Sequence, residues 1–475
     1  MHSFFSRALT VLAGAACCLG AAARADSPAP LPPAMQAALV RARLPQQAVS
    51  ALVVNVDAAA PRLAWRAAEP MNPASVMKLV TTYAALDRLG PAFTWSTPVY
   101  LQGRLDAGTL HGNVYIQGQG DPKLVQERLW LLLRRLQGQG VQAIDGDIVL
   151  DRSAFAVAGH DPAAFDGEPL RAYNVAPDAL LINYQALVMH FVPDPSAGVA
   201  RVHYEPPMAG MQLQPTVPLA PPDAACGDWR AALGAQLAQP GRTVFKGTYA
   251  AACGERAWAM AAADPVAFAS HAVAGMWRDL GGRLSGQVRA GRVPANLQPA
   301  FALDSPPLAE VVRDINKYSN NVMAQQVFLT LGLRLTGTGS FAGARQALGQ
   351  WWAERLGGVP APVLDNGAGL SRDGRISAQA LARMLQQAWA SPVMPELLAS
   401  LPIEGVDGTR RRSQGAAVGA AHLKTGSLRD VAAIAGFVHA ADGQRYVLVA
   451  MVNHDNAAAA RPALQALVDW VHALR

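Results

Sequence analysis

The sequence predicts an α/β protein of the α+β type, in which a mostly-β region interrupts a domain of helices and an antiparallel sheet. Helical periodicity occurs on both sides of the interruption, over 73–89 and again from Pro265 to about Ala388. Short β-like runs with Pro-rich turns dominate between Trp95 and about Ala263. Three strand-like runs then precede a last helix, and Asp442-Gly443 between the second and third predicts a hairpin.

The length and composition predict a globular chain of more than one domain. At 475 residues the chain is too long for one compact core, and it is 51% hydrophobic and 16% charged. We expect a leader at 1–25, a first domain from 26–95 and 264–475, and an inserted mostly-β region at 96–263 with a smaller module near 190–258. The net charge of +6 without a long basic run argues against a nucleic-acid partner.

The N-terminus has the pattern of a secretory signal. Arg7 precedes an apolar run from Ala8 to Ala23, and Ala23-Arg24-Ala25 is a small-x-small site that predicts cleavage after Ala25. The run is short for a membrane span, and no other stretch predicts a transmembrane segment. A lipoprotein anchor at Cys17 or Cys18 is the weaker alternative. Export to the periplasm is therefore expected, and a loose association with membrane or wall stays open.

Two cysteines remain after the predicted leader, Cys226 and Cys253. In an exported protein such a pair predicts a disulfide, which by loop entropy would contribute roughly 3 kcal/mol. The alternative is two buried thiols. No Cys/His group has the spacing of a metal site, so neither a metal nor another cofactor is expected.

Candidate chemistry begins with Ser75 and Lys78. The helix that starts after Pro73 places both side chains on one face, since positions i and i+3 are neighbours. A lysine in an apolar site has a lowered pKa and can take a serine proton. The chain has only five lysines against 35 arginines, which suggests that Lys78 and Lys424 must be able to lose a proton. A solvated helix face is the alternative.

Two further segments complete the candidate site. Ser319 and Asn321 stand at a predicted helix start, where Ser319 could also be an ordinary N-cap. Lys424, Thr425, Gly426 and Ser427 lie on a predicted strand. Glycine weakens a strand unless another part of the chain approaches its backbone closely, so such an approach is expected at Gly426.

Ser-x-x-Lys, Ser-x-Asn and Lys-Thr-Gly, in this order, form the motif set of penicillin-binding proteins and serine β-lactamases. The chain resembles the D-alanyl-D-alanine carboxypeptidase/endopeptidase family of low-molecular-mass class C penicillin-binding proteins, peptidase family S13, of the penicillin-binding protein 4 type. The 244 residues between Ser75 and Ser319 support this, as do the segments 118–122, 365–372 and 405–409. The resemblance implies a β-lactamase/transpeptidase-like domain with nested insertions.

The resemblance also implies a reaction and its residues. Peptidoglycan peptides would be substrates, β-lactams would be covalent inhibitors, and Ser75 would carry the acyl group. Lys78, Ser319, Asn321 and Lys424 would be catalytic, while Thr425, Gly426 and Ser427 would bind the substrate. The resemblance further implies that Asp151, Phe155 and Arg372 form a pocket for the substrate side chain. The alternative is that Asp151 only ends a strand and Arg372 makes a structural ion pair.

Two other functions remain as alternatives. A serine β-lactamase or esterase would share the acylation chemistry but release the acyl group quickly. A catalytically idle wall-binding scaffold would not need the six polar residues of the three motifs.

Overall fold

The computed structural model describes residues 30–157, 159, 161–237, 239, 241–262 and 264–475. The predicted signal segment and its cleavage site lie outside the described residues. Within them, no helix is long and apolar enough to cross a membrane.

The helices of the described residues, in chain order, are α1 (Pro33–Arg41), α2 (Lys78–Leu89), α3 (Gln126–Gly138), α4 (Trp229–Ala232), α5 (Pro265–Asp279), α6 (Leu308–Tyr318), α7 (Asn321–Thr336), α8 (Phe341–Leu356), α9 (Ala378–Trp389), α10 (Met394–Ser400) and α11 (Arg461–His472). The strands are β1 (Val49–Asn55), β2 (Pro61–Trp65), β3 (Pro70–Met71), β4 (Ser96–Asp106), β5 (Thr109–Gln117), β6 (Ala143–Asp145), β7 (Ile148–Asp151), β8 (Ala186–Asp194), β9 (Val199–Glu205), β10 (Gln212–Leu213), β11 (Thr216–Pro218), β12 (Ala235–Gln236), β13 (Arg242–Phe245), β14 (Arg256–Ala261), β15 (Arg283–Leu284), β16 (Val288–Ala290), β17 (Pro299–Asp304), β18 (Ile376–Ser377), β19 (Ala421–Leu428), β20 (Val431–His439) and β21 (Arg445–Asn453).

A five-stranded antiparallel sheet organises the first domain, with strand order β19-β20-β21-β1-β2. Its three central strands, β20, β21 and β1, are buried on both faces because helices cover each side. Helices α1 and α11 pack on one face through residues such as Leu39 and Leu467. Helices α2, α6, α7 and α9 pack on the other, where Leu79 and Phe328 are fully buried. The predicted fold class, an antiparallel sheet flanked by helices, is confirmed.

The inserted region contains a seven-stranded mixed sheet in which β4 pairs with β5 and β17, while β5 continues in parallel to β6 and β7. Helices α3 and α5 cover it, with Leu132 and Val273 fully buried. Composition predicts that the residues after 263 belong to the first domain. However, α5 packs on the inserted sheet, and β15, β16 and β17 pair with its strands. Periodicity shows that a helix has a buried face but not which sheet covers it.

A smaller module lies within the insertion and has a four-stranded sheet of order β11-β9-β8-β14. Cys226 and Cys253 form a disulfide there, with Cα atoms 4.7 Å apart, so the predicted pairing is confirmed. An aromatic cluster of Phe191, Trp229 and Tyr249 packs beside it.

Candidate active site

Ser75 lies in a 3-10 turn, Ala74–Met77, that runs directly into α2. Asn72 holds this turn: its Oδ1 accepts a hydrogen bond from Ala74 N at 2.9 Å, and its Nδ2 donates to Ser371 O at 2.9 Å. At the end of β21, the Asn453 side chain accepts from Asn72 N at 2.8 Å and donates to Asn72 O at 2.9 Å. The nucleophile turn is therefore anchored to the sheet by side-chain amides.

Lys78 is fully buried one turn after Ser75. Its Nζ lies 3.0 Å from Ser75 Oγ, 2.7 Å from Asn321 Oδ1 and 2.6 Å from the carbonyl oxygen of Ala368. Burial holds the pKa of Lys78 well below its usual value, and the positive charge of Lys424 lowers it further. The predicted proximity and lowered pKa are both found, so Lys78 is suited to accept a proton.

The environment of Lys78 also sets the direction of its lone pair. Asn321 Nδ2 donates to Tyr173 O at 3.0 Å, so the Asn321 amide oxygen must face Lys78. Asn321 Oδ1 and Ala368 O can only accept hydrogen bonds. A neutral amine therefore directs its two hydrogens to these oxygens and its lone pair to the Ser75 hydroxyl.

Ser319 and Lys424 form a second pair. Lys424 is fully buried, and its Nζ donates to Ser319 Oγ at 2.9 Å and to Thr425 O at 2.7 Å. Burial lowers the pKa of Lys424 to about 7. The alternative that Ser319 is an ordinary N-cap does not hold: Asn320 caps α7 through Met323 N, and Ser319 has a left-handed backbone (φ 58°) between α6 and α7. This conformation allows the hydroxyl to face Lys424 instead of the helix.

Gly426 brings β19 against the nucleophile turn. A Cβ at this position would lie 2.4 Å from Pro73 O and 3.2 Å from Ser75 N. The close approach predicted from the glycine is confirmed, because only a residue without a side chain allows the strand and the turn to meet at this distance.

β19 is the edge of its sheet, and its outer edge faces this cleft. Ala421 O accepts from Glu404 N and Leu423 N donates to Pro402 O, so odd-numbered residues direct their backbone groups away from β20. Alternation then places the backbone N–H of Ser427 on the outer edge, where a bound group can reach it. The Thr425 hydroxyl donates to Thr409 Oγ1 at 2.9 Å nearby.

The three residues predicted to form the pocket for the substrate side chain each contact different parts of the chain. Both carboxylate oxygens of Asp151 accept backbone N–H groups, from Ser153 at 2.9 Å and from Val293 at 2.8 Å. The Arg372 guanidinium pairs with Asp430 at 3.0 Å and lies 4.5 Å from the Phe165 ring centre.

Phe155, the third of these residues, packs on the backbone at two glycines, since its ring lies against Gly120 and Gly339. A pocket formed by Asp151, Phe155 and Arg372 stays a prediction.

Sequence reasoning missed Ala368 and Tyr173, which contribute only backbone carbonyl oxygens to the site. Backbone groups have no residue-type signature. The Gly-rich run 367–369 was the available signal, because a Cβ at Gly369 would collide with the backbone of Ala74.

A buried lysine amine beside a serine hydroxyl, with polar groups fixing its orientation, defines the class of serine acyl-transfer sites. The family is shown by comparison: the model of the D-Ala-D-Ala carboxypeptidase 3 (S13) family matches residues 33–474, so the chain belongs to this family.

Two curated relatives are similar over most of their length. The D-alanyl-D-alanine carboxypeptidase of Actinomadura sp. (strain R39) is 28% identical over 443 residues, covering 88% of this chain and 80% of the relative. The D-alanyl-D-alanine carboxypeptidase DacB of Haemophilus influenzae is 26% identical, covering 81% of this chain and 80% of its own. The crystal structure of penicillin binding protein 4 (dacB) from the same organism matches with a TM-score of 0.69 and 24% identity, over 86% of this chain and 90% of that one.

Proposed function

We propose that this protein is a serine-type D-Ala-D-Ala carboxypeptidase and D,D-endopeptidase that cleaves peptidoglycan peptides through an acyl-enzyme on Ser75. One observation carries the proposal: Lys78 Nζ lies 3.0 Å from Ser75 Oγ, while two acceptor oxygens take its remaining hydrogens. Membership of the S13 family, whose similar relatives are named D-alanyl-D-alanine carboxypeptidases, supports the substrate class.

In the first step, neutral Lys78 takes the Ser75 proton, and Ser75 Oγ forms a bond to the carbonyl carbon of the penultimate D-Ala. The oxyanion accepts hydrogen bonds from the backbone N–H groups of Ser75 and Ser427. The close contact at Gly426 supports this pairing, because it brings the turn and the strand edge together. Loss of one such donor typically slows acyl transfer 10²- to 10³-fold.

In the second half of acylation, the carbon–nitrogen bond breaks and the leaving amine needs a proton. Ser319 donates this proton and regains one from protonated Lys78, while Lys424 polarises the Ser319 hydroxyl across 2.9 Å. Lys424 and the Thr425 hydroxyl also hold the carboxylate of the leaving D-Ala. The second hydrogen of Asn321 Nδ2 binds the amide of the acyl side, and water then hydrolyses the ester.

Asp151, Phe155 and Arg372 form the proposed pocket for the free end of a diaminopimelate side chain. Arg372 supports this role because its ion pair with Asp430 is about half exposed at both side chains. Such a pair contributes little free energy, so a substrate carboxylate can replace Asp430. Asp151 would act by holding the pocket backbone through Ser153 and Val293.

β-Lactams mimic the D-Ala-D-Ala unit, so we propose that they acylate Ser75 and hydrolyse slowly. The protein would act in the periplasm after cleavage behind Ala25. We place the insertion at 96–304, with its smaller module near 190–258, since strands up to Asp304 complete the inserted sheet.

Hydrolysis of a diaminopimelate pentapeptide and of a cross-linked dimer tests the activity. Release of D-Ala from the first and of monomer from the second is expected with the natural protein and absent in Ser75→Ala. Rapid turnover of benzylpenicillin without cleavage of either peptide would identify a β-lactamase and contradict the proposal.

A further inference from the structure

A second cleft of about 550 Å³ adjoins the Lys-Thr-Gly strand. Thr425, Gly426 and Ser427 form its wall on β19, and the first residues of α11 face them. Gly426 also lies against the Ser75 turn, so the cleft and the candidate active site share this stretch of β19.

The cleft carries an excess of positive charge. The described residues that line it include three arginines, Arg410, Arg412 and Arg461, and no carboxylate. Arg410 is neutralised by the buried Glu404 through two bonds of 2.6 and 2.7 Å. Arg412 and Arg461 make no ion pair with any described residue, so two positive charges remain for a bound anion.

Hydrogen bonds between side chains hold the wall of this cleft in place. Besides Glu404, Arg410 Nη2 donates to Gln465 Oε1 at 2.7 Å, and Gln465 Nε2 donates to Asp469 at 3.1 Å. This network joins the segment that carries Arg412 to α11, which carries Arg461. Arg412 and Arg461 therefore lie on two parts of the chain that this network holds together, and both line the cleft.

The position of the cleft decides which part of a substrate reaches it. In the proposed reaction, Lys424 and Thr425 hold the carboxylate next to the scissile amine. Thr425 also lines the cleft. A leaving group that continues past that carboxylate would therefore enter the cleft. A single D-Ala ends at this point, whereas the leaving group of a cross-linked peptide continues into an acidic stem.

We infer that Arg412 and Arg461 form an anion subsite that selects leaving groups with a further carboxylate, and so favours cleavage of cross-linked acidic peptides over removal of a single D-Ala. The inference rests on the proposed function and specifies its substrate class. The bond changes are those of the proposed hydrolysis, in which water is consumed and the leaving amine takes a proton.

Two peptides with one acyl part, ending in D-Ala-D-Glu or D-Ala-D-Gln, test the subsite because they differ only in charge on the leaving side. The natural protein should have the higher kcat/KM for D-Ala-D-Glu. The double variant Arg412→Gln/Arg461→Gln should lower the Glu/Gln ratio of kcat/KM roughly fivefold, the range for two solvent-exposed ion pairs. Arg411→Gln is the matched control, an exposed neighbour that does not line the cleft.

Raising the ionic strength from 0.05 to 0.5 M should lower the same ratio in the natural protein and leave it flat in the double variant. A cross-linked dimer compared with the pentapeptide should give the same result. Equal Glu and Gln rates in the natural protein, or a ratio that the double variant leaves unchanged, would overturn the subsite while the proposed function stands. Cleavage of neither peptide by the natural protein would overturn both.

Discussion

Gly426→Ala should change the distance between β19 and the Ser75 turn while every catalytic side chain stays the same. The added methyl group would lie 2.4 Å from Pro73 O, about 1 Å inside ordinary contact at 3.4 Å. Both sides of the contact are backbone, so no flexible side chain can move away. The backbone of Gly426 does not lie in the left-handed region, so alanine fits the strand and the clash is the whole perturbation.

The turn that carries Ser75 or the edge of β19 must therefore shift by about 1 Å. A displacement of this size at reacting groups costs about 10²-fold in rate. Overpacking of this kind lowers the free energy of unfolding by roughly 1–3 kcal/mol. The second-order rate constant for acylation by benzylpenicillin measures the first effect, and urea unfolding measures the second.

Gly349→Ala is the control for this variant. Gly349 lies exposed in α8, and a Cβ there meets no atom of the described residues within 4 Å. Alanine should raise helix stability by up to about 1 kcal/mol and leave acylation unchanged. If Gly426→Ala folds and acylates at the natural rate, the contact between strand and turn does not position the nucleophile.

Three further results are expected. The rate of acylation by benzylpenicillin should rise with pH as Lys78 loses its proton. Lys424→Gln should move this rise to higher pH, because it removes a positive neighbour that lowers the pKa of Lys78. An unchanged pH profile would argue against this coupling. Replacing Cys226 and Cys253 by Ser should cost roughly 3 kcal/mol in unfolding of the small module but leave acylation intact, and a matching loss of acylation would link that module to the site. Arg372→Ala should weaken cleavage of diaminopimelate peptides far more than acylation by β-lactams, and equal loss of both would remove Arg372 from the pocket.

The catalytic sheet was largely predictable because its strands carry local signals. The predicted run at 421–428 coincides with β19, and Asp442-Gly443 lies at the turn between β20 and β21. Ser75, Lys78, Ser319 and Lys424 were also predictable, since three short motifs each fixed a residue type at a spacing that helix or strand geometry explains.

The assignment of elements to sheets was not predictable. β17 pairs with β4 across about 200 residues of sequence, and no pattern in either strand indicates which strand is its partner. The contact of Asn321 with Tyr173 is likewise invisible, because a loop of the insertion supplies only a carbonyl oxygen.

Not every lysine of this arginine-rich chain is placed for proton transfer. Lys317 is also buried, and it pairs with Asp407 at 2.6 Å and donates to Leu401 O. Lys123 similarly pairs with Asp314. Four of the five lysines are therefore buried or partly buried, and burial lowers the pKa at two of them, Lys78 and Lys424.

The most direct test of the account is intact-mass analysis of the mature protein after exposure to benzylpenicillin, beside Ser75→Ala. If Ser75 is the nucleophile, the natural protein should carry one adduct of the drug's mass that persists for minutes and is absent in the variant. An adduct that survives in Ser75→Ala would place the nucleophile elsewhere, and no adduct with no turnover would favour an idle scaffold.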